Sequence, residues 1–132
     1  MITKQLTVFL QNDIGRLEEL TRILGENDIN ISALSVAETE TYGIMRMIVS
    51  DIDKAVEILK AAEFTVKTTD VLSIQCPGIP GALHKALLVL SGAGISIRYM
   101  YGYSDAGIAR LIIKISDPEK GRELLENHLQ SC

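Results

Sequence analysis

Asn12-Asp13-Ile14-Gly15-Arg16-Leu17 places a glycine in a polar turn just ahead of an apolar-periodic stretch. The start of a helix leaves N–H groups without intrahelical partners and carries partial positive charge, which suits a carboxylate. Glycine removes the Cβ that would hold a ligand off the backbone. A small zwitterion carries an anionic and a cationic group close together. The N–H groups from Ile14 to Leu17 could take the first, and the Asn12 side chain the second. Asp13 could also meet the cationic group, although it would repel the anionic one if aimed at the helix start. Both residues suit ordinary helix capping, and one turn can serve both ends. A second turn, Gly78-Ile79-Pro80-Gly81-Ala82-Leu83, offers Gly81 and the N–H groups of Ala82 and Leu83. It has no polar side chain at Gly78.

Other residues with chemical potential read more plainly. His84 follows Leu83 on a helix whose inward set includes Ala86, Leu87 and Leu90; no nucleophile pattern surrounds it. His128 suits the negative end of a helix. Tyr99, Tyr101 and Tyr103 form a period-two stripe, which can cover a sheet, line an interface or stack bases. Arg46 and Arg110 stand in two copies of Gly-Ile-x-Arg and read as matching places, able to pair with local carboxylates or reach the seam between units. Cys76 reads as a small buried filler, and Cys76 and Cys132 show neither metal spacing nor a disulfide framework. No cofactor and no metal is implied.

The two turns belong to a repeat. Gly15 and Gly81, Leu17 and Leu83, Leu24 and Leu90, Ile29 and Ile95, and Ile31 and Ile97 all stand 66 positions apart. Such a period marks duplicated structural units. The expected units are 1–70 and 71–132. A unit of this size hides only about 60% of its unfolded surface, so each is marginal alone and gains from packing on the other.

Within the first unit, Leu6–Leu10 reads as a strand, and Leu17, Leu20, Ile23 and Leu24 recur at helical spacing opposite Arg16, Glu18, Glu19 and Arg22. Gly25 is the expected stop signal. Ile29–Val36 reads as a strand with a phase slip between Ile31 and Leu34, as a bulge would give. Thr41-Tyr42-Gly43 reads as a turn, Ile44–Val49 as a third strand, and Asp51 or Asp53 as the cap of a second helix. Phe64–Thr69 closes the order β-α-β-β-α-β. The second unit reads Leu72–Cys76, Ala82–Leu90, Ile95–Tyr103, Ile108–Ile115 and Pro118–Leu129, with Asp117 as cap. Gly43-Ile44-x-Arg46 aligns with Gly107-Ile108-x-Arg110 at an offset of 64, which predicts a third strand two residues longer in the second copy. That copy shows no last strand, so either the chain stops early or another edge fills the slot. The fold class is α+β: tandem ferredoxin-like βαββαβ units, antiparallel sheets with helices on one face. The fold alone names no function.

The formal net charge is -4, with seven Lys/Arg against twelve Asp/Glu in 1–70 and six against five in 71–132. Neither half has a basic stripe, which argues against nucleic acid as partner. No charge-free run approaches the ~20 residues of a membrane span, and no signal peptide is visible. A cytoplasmic protein without a membrane partner is expected.

A Gly-containing turn at the helix start, a helix ending before x-Ile-x-Ile, a Gly-containing hairpin and a short second helix, all present twice, resemble the ACT domain. That family is a regulatory module binding small ligands, mostly amino acids. Its turn usually reads Asp-x-Pro-Gly; here the first reads Asn12-Asp13-Ile14-Gly15 and the second Gly78-Ile79-Pro80-Gly81. The resemblance implies ligands where the loop of one unit meets the second strand of the other. The implied binding set is Gln11, Asn12, Asp13, Ile14, Gly15, Arg16, Leu17, Asn30, Ile31 and Ser32, with Pro80, Gly81, Ala82, Leu83, Ser96, Ile97 and Arg98. One competent site is expected around residues 11–17, closed by the second repeat.

Three function classes compete. A non-catalytic sensor of a free amino acid leads, acting as a homodimer with a separate regulated enzyme as a possible partner. An RNA-binding module shares the element order but wants aromatics on its central strands, and Ile44–Val49 and Ile108–Ile115 have none. A small acylphosphatase-type enzyme needs an anion-cradling loop with arginine and a positioned asparagine. Arg16 and Asn12 lie around one loop, with no corresponding set in the other.

Overall fold

The computed structural model describes residues 1–11, 13–38 and 41–130, the last three of these by backbone alone. Asn12, Cys132 and the His128 side chain lie outside the described residues. The element order is β1 (Ile2–Gln11), α1 (Arg16–Glu26), β2 (Ile31–Glu38), β3 (Tyr42–Val49), α2 (Ile52–Ala61), β4 (Thr65–Pro77), α3 (Ala82–Gly92), β5 (Ile97–Asp105), β6 (Ile108–Ile115) and α4 (Pro118–Gln130). Two compact units emerge: Lys4–Thr69, and Asp70–Cys132 together with Met1–Thr3.

In the first unit the strand order is β2-β3-β1-β4, with β1 and β2 both antiparallel to β3. Leu6, Val8 and Leu10 alternate onto the face that Met45 and Met47 share, and there meet Leu20 and Leu24 of α1 and Ala55 and Leu59 of α2. Each such buried Leu contributes roughly 1.5–3 kcal/mol. Asp51 caps α2, its side chain accepting from the Lys54 N–H at 3.2 Å. The phase slip in β2 is a bulge between Ile31 and Ala33. Gly25 lies inside α1; the helix stops at Asn27, with Asp28 at φ 57 turning the chain away.

The second unit orders β4-β6-β5, antiparallel throughout, with the matching bulge between Ile97 and Tyr99. Leu72, Ile74, Leu111, Ile113 and Ile115 pack with Ala86, Leu90 and Leu125. Helix α4 approaches closely at Gly121, where a Cβ would collide with Ile115 Cδ1 and come within 3.0 Å of Leu72 Cδ1. The question of the missing strand has an answer: another edge is used. The Ser73 N–H donates to the Met1 carbonyl at 2.7 Å, the Met1 amine donates back to the Ser73 carbonyl at 3.2 Å, and Ile2 packs on this unit's core.

Three expectations are corrected. The separate strands Phe64–Thr69 and Leu72–Cys76 are one strand, Thr65–Pro77, because no glycine or proline interrupts it. The third strands are equal in length, eight residues each. Ladder register keeps the 66-residue offset: Ile31 pairs Val49 where Ile97 pairs Ile115, and Ser35 pairs Arg46 where Tyr101 pairs Ile112. The structural counterpart of Arg46 is therefore Ile112, not Arg110. The offset of 66 holds on both sides of the hairpin, so the hairpins are equal in length; in the second unit the turn is Ala106-Gly107, both at positive φ.

Candidate functional site

Gly15 adopts φ 91, a left-handed conformation that turns the chain from β1 into α1. The Asp13 N–H donates to the Gln11 carbonyl at 2.7 Å, and the Arg16 N–H to the Asp13 carbonyl at 3.3 Å. Among the described residues no side chain caps α1, and the N–H groups of Ile14, Gly15 and Leu17 meet no acceptor. Beside this turn lies a cleft of about 280 Å³ lined by Leu10, Gln11, Asp13, Ile14, Arg16, Leu17, Val36, Glu38 and Gly43. The register explains this gathering. Leu10 and Glu38 both pair with Gly43, so β1, β3 and β2 bring these three into one cross-strand row. Val8, Met45 and Val36 form the next row on the same face.

Arg16 is the first residue of α1 and the cation of the cleft. Its Nη1 donates to Glu19 Oε2 at 2.9 Å, and its Cζ lies 4.0 Å from the Phe64 ring centroid. Among the described residues its buried Nε finds no hydrogen-bond partner. The head is thus braced on one side by a ring and on another by a carboxylate. Asp13 and Glu38 supply two carboxylates across the same opening. Unpaired amides, one guanidinium, two carboxylates and an apolar floor can hold a small zwitterion.

The structure brings Gln11, Asp13, Ile14, Arg16 and Leu17 to the cleft, with Gly15 shaping the turn. It places Asn30, Ile31 and Ser32 at the other end of β2. There the Asn30 N–H meets Ser50 Oγ at 3.0 Å, Ser32 Oγ donates to the Ile48 carbonyl at 3.2 Å, and Ile31 packs on the core. Leu10, Val36, Glu38 and Gly43 escaped the sequence reading. Gly43 read as a turn residue but is a buried strand position. Only the pairing register shows what it faces.

The second turn has the same backbone. Gly81 caps α3 at φ 87 without a side-chain cap, and the Ala82 N–H donates to the Ile79 carbonyl at 3.3 Å. Pro80 lacks an N–H, Leu83 packs on the core, and Ser96, Ile97 and Arg98 lie around the start of β5. The Gly78 N–H donates to the Gly107 carbonyl at 2.8 Å, and a Cβ on Gly78 would meet the Gly107 backbone at 3.1 Å. The tight hairpin thus presses on the turn. The tyrosine stripe pairs with Lys114, Ile112 and Arg110, on the face away from Ile113 and Leu111.

A larger cavity, about 540 Å³, lies in the second unit between Ser73–Gln75 of β4 and Arg122, Leu125 and Glu126 of α4. Arg122 there is engaged by Glu119 and Glu126, which raise its pKa above the ordinary arginine value, Glu119 most. This cavity borders no helix start, so its size does not match the smaller cleft's set of free donors. Among the described residues no cluster of His, Cys, Asp and Glu could hold a metal ion, and no helix is long and apolar enough to cross a membrane.

A family model described as an ACT domain pair matches residues 1–132. No curated protein matches the sequence. A solved structure of a Bacteroides thetaiotaomicron protein is 46% identical, with a TM-score of 0.93, covering 97% of this chain and 89% of that one. The ligand-free regulatory subunit of aspartate kinase from Thermus thermophilus has a TM-score of 0.70 at 15% identity, covering 98% of this chain and 96% of that one. The regulatory subunit from Thermus flavus has a TM-score of 0.66 at 11% identity, covering 96% and 94%. At such identities these last two speak to fold.

Proposed function

The chain belongs to the ACT domain pair family, and from that membership we propose that it is a regulatory sensor of a free amino acid, without catalysis of its own. The observation that carries the reading is the start of α1, uncapped by any side chain among the described residues, beside a small cleft that Arg16, Asp13 and Glu38 line together. The amides and guanidinium take the carboxylate; Asp13 and Glu38 take the ammonium. One site per chain is competent, around residues 11–17. The contact of Gly78 with Gly107 in the second unit, and the lack of polar side chains in its turn, support that asymmetry. The sensor works in the cytoplasm as a homodimer, and its ligand state is read by a separate enzyme. The aspartate kinase regulatory subunits that share the fold supply a model for such a pairing. A thermal-shift and calorimetric screen of the twenty amino acids tests it. A ligand at a hundred times its dissociation constant adds about 2.7 kcal/mol to stability. If none of the twenty shifts the transition, the reading fails.

A further inference from the structure

The tiers of the cleft say more than that an amino acid fits, and the step taken here rests on the amino-acid reading above. We propose that the cleft is selective for α-amino acids with a short, branched aliphatic side chain. The charged lining residues are Asp13 and Arg16, on the turn and helix start, and Glu38 at the end of β2. Glu38 shares its cross-strand row with Gly43 and Leu10. One row deeper, about 7 Å away at the ordinary strand rise, the helix-facing position on β2 is Val36, which is 44% exposed. The next is Leu34, 51% exposed, just beyond the cleft. Leu17 of α1, 43% exposed, faces the same space, and Leu10 closes its floor.

A zwitterionic head held between Arg16, Asp13 and Glu38 leaves its side chain to lie along Leu10, Leu17 and Val36. Burying these half-exposed surfaces is the favourable step, at roughly 25 cal/mol per Å² of apolar area. A lysine in the same pose would bring its ammonium alongside Val36 and Leu34, where the helix-facing row carries no carboxylate. An aspartate would bring a second carboxylate toward Asp13 and Glu38 or into the apolar tier, both unfavourable. The volume of about 280 Å³ falls just under the ~300–1,000 Å³ of pockets for drug-sized ligands. It suits one compact amino acid and is short for a nucleotide. Absence of a Gly43 side chain keeps the space between Leu10 and Glu38 open.

The test is calorimetry on the full chain with L-isoleucine, L-valine, L-leucine, L-alanine, L-lysine and L-aspartate, repeated on Val36→Ser and Leu17→Ser. Both sites are half exposed, so the variants are checked by thermal melting and expected to fold. The proposal expects the branched residues to bind at least tenfold tighter than alanine, lysine and aspartate, in line with the ~10–200-fold worth of a methylene in an apolar pocket. It expects either variant to shrink the isoleucine-over-alanine preference several-fold. Tightest binding by lysine or aspartate would overturn the aliphatic class and leave the amino-acid reading standing. Aliphatic binding with its preference unchanged in both variants would overturn the placement. Binding of none would remove the amino-acid reading itself.

Discussion

The guanidinium of Arg16 lies 4.0 Å from the ring centroid of Phe64, a contact between the first residue of α1 and the residue that precedes β4. Stacked cations of this kind contribute about 0.5–2 kcal/mol. Here the gain is set against a buried Nε that finds no acceptor among the described residues. Arg16→Met keeps apolar contact with the ring and deletes that unpaired donor. Its stability in urea should stay within about 1 kcal/mol of the parent, since the two effects oppose each other. Amino-acid affinity should fall at least tenfold, as loss of a charged hydrogen bond of roughly 1.5–3 kcal/mol implies. Undiminished affinity in this variant would remove Arg16 from the site. Phe64→Ala, by contrast, opens the first unit's core and should cost about 3–5 kcal/mol.

Gly43 separates folding from binding. A Cβ there would stand 3.7 Å from the Ala37 carbonyl oxygen and 3.9 Å from Leu10 Cβ, ordinary contact distances. Gly43→Ala should therefore melt at or slightly above the parent temperature, because alanine loses less backbone freedom by roughly 0.5–1 kcal/mol. The same methyl sits on the cleft lining and should weaken ligand binding. A variant that melts normally and binds normally would show that the ligand sits elsewhere.

How much of this was legible beforehand is best judged at particular residues. The turn at 13–17, the helix behind it, the β2 bulge and the Asp51 cap were readable because each is local: a glycine, a period of 3.6, a broken alternation, an oxygen three residues before an amide. Glu38, Gly43 and Val36 were not, because they join the turn only through strand register, which no local pattern records. The same limit misled the pairing of Arg46 with Arg110. Matching letters suggested an offset of 64, while the ladders hold 66 on both strands of the hairpin. The strand that completes the second unit was invisible for the opposite reason, lying at the far end of the sequence.

Two glycines in or beside α1 should respond in opposite directions. Gly15→Ala forces a side chain into φ 91, at a cost of roughly 1–2 kcal/mol. Gly25 sits within the helix with nothing near its missing Cβ, so Gly25→Ala should stabilise by about 0.5–1 kcal/mol. Thermal melts of the pair give the comparison; equal shifts of one sign would contradict the backbone assignment.

Removal of Met1–Thr3 should loosen the second unit more than the first. It takes away the acceptor of the Ser73 N–H and the packing of Ile2 on the core. Amide exchange at Ser73 should accelerate strongly while Met45 and Met47, in the other core, keep their protection. A Ser73 amide that stays protected would show that the pairing is dispensable.

The first three residues belong with the last sixty or so, and this dictates a sequence of events at the ribosome. Lys4–Thr69 is contiguous and can collapse as soon as it emerges, whereas Met1–Thr3 must wait for Ser73 and the strands after it to be synthesised. In topological language the earlier module is an insertion inside the later one, and closure of the host comes last. A break introduced near residue 70 would therefore leave the first module contiguous and part the second from the segment that closes it.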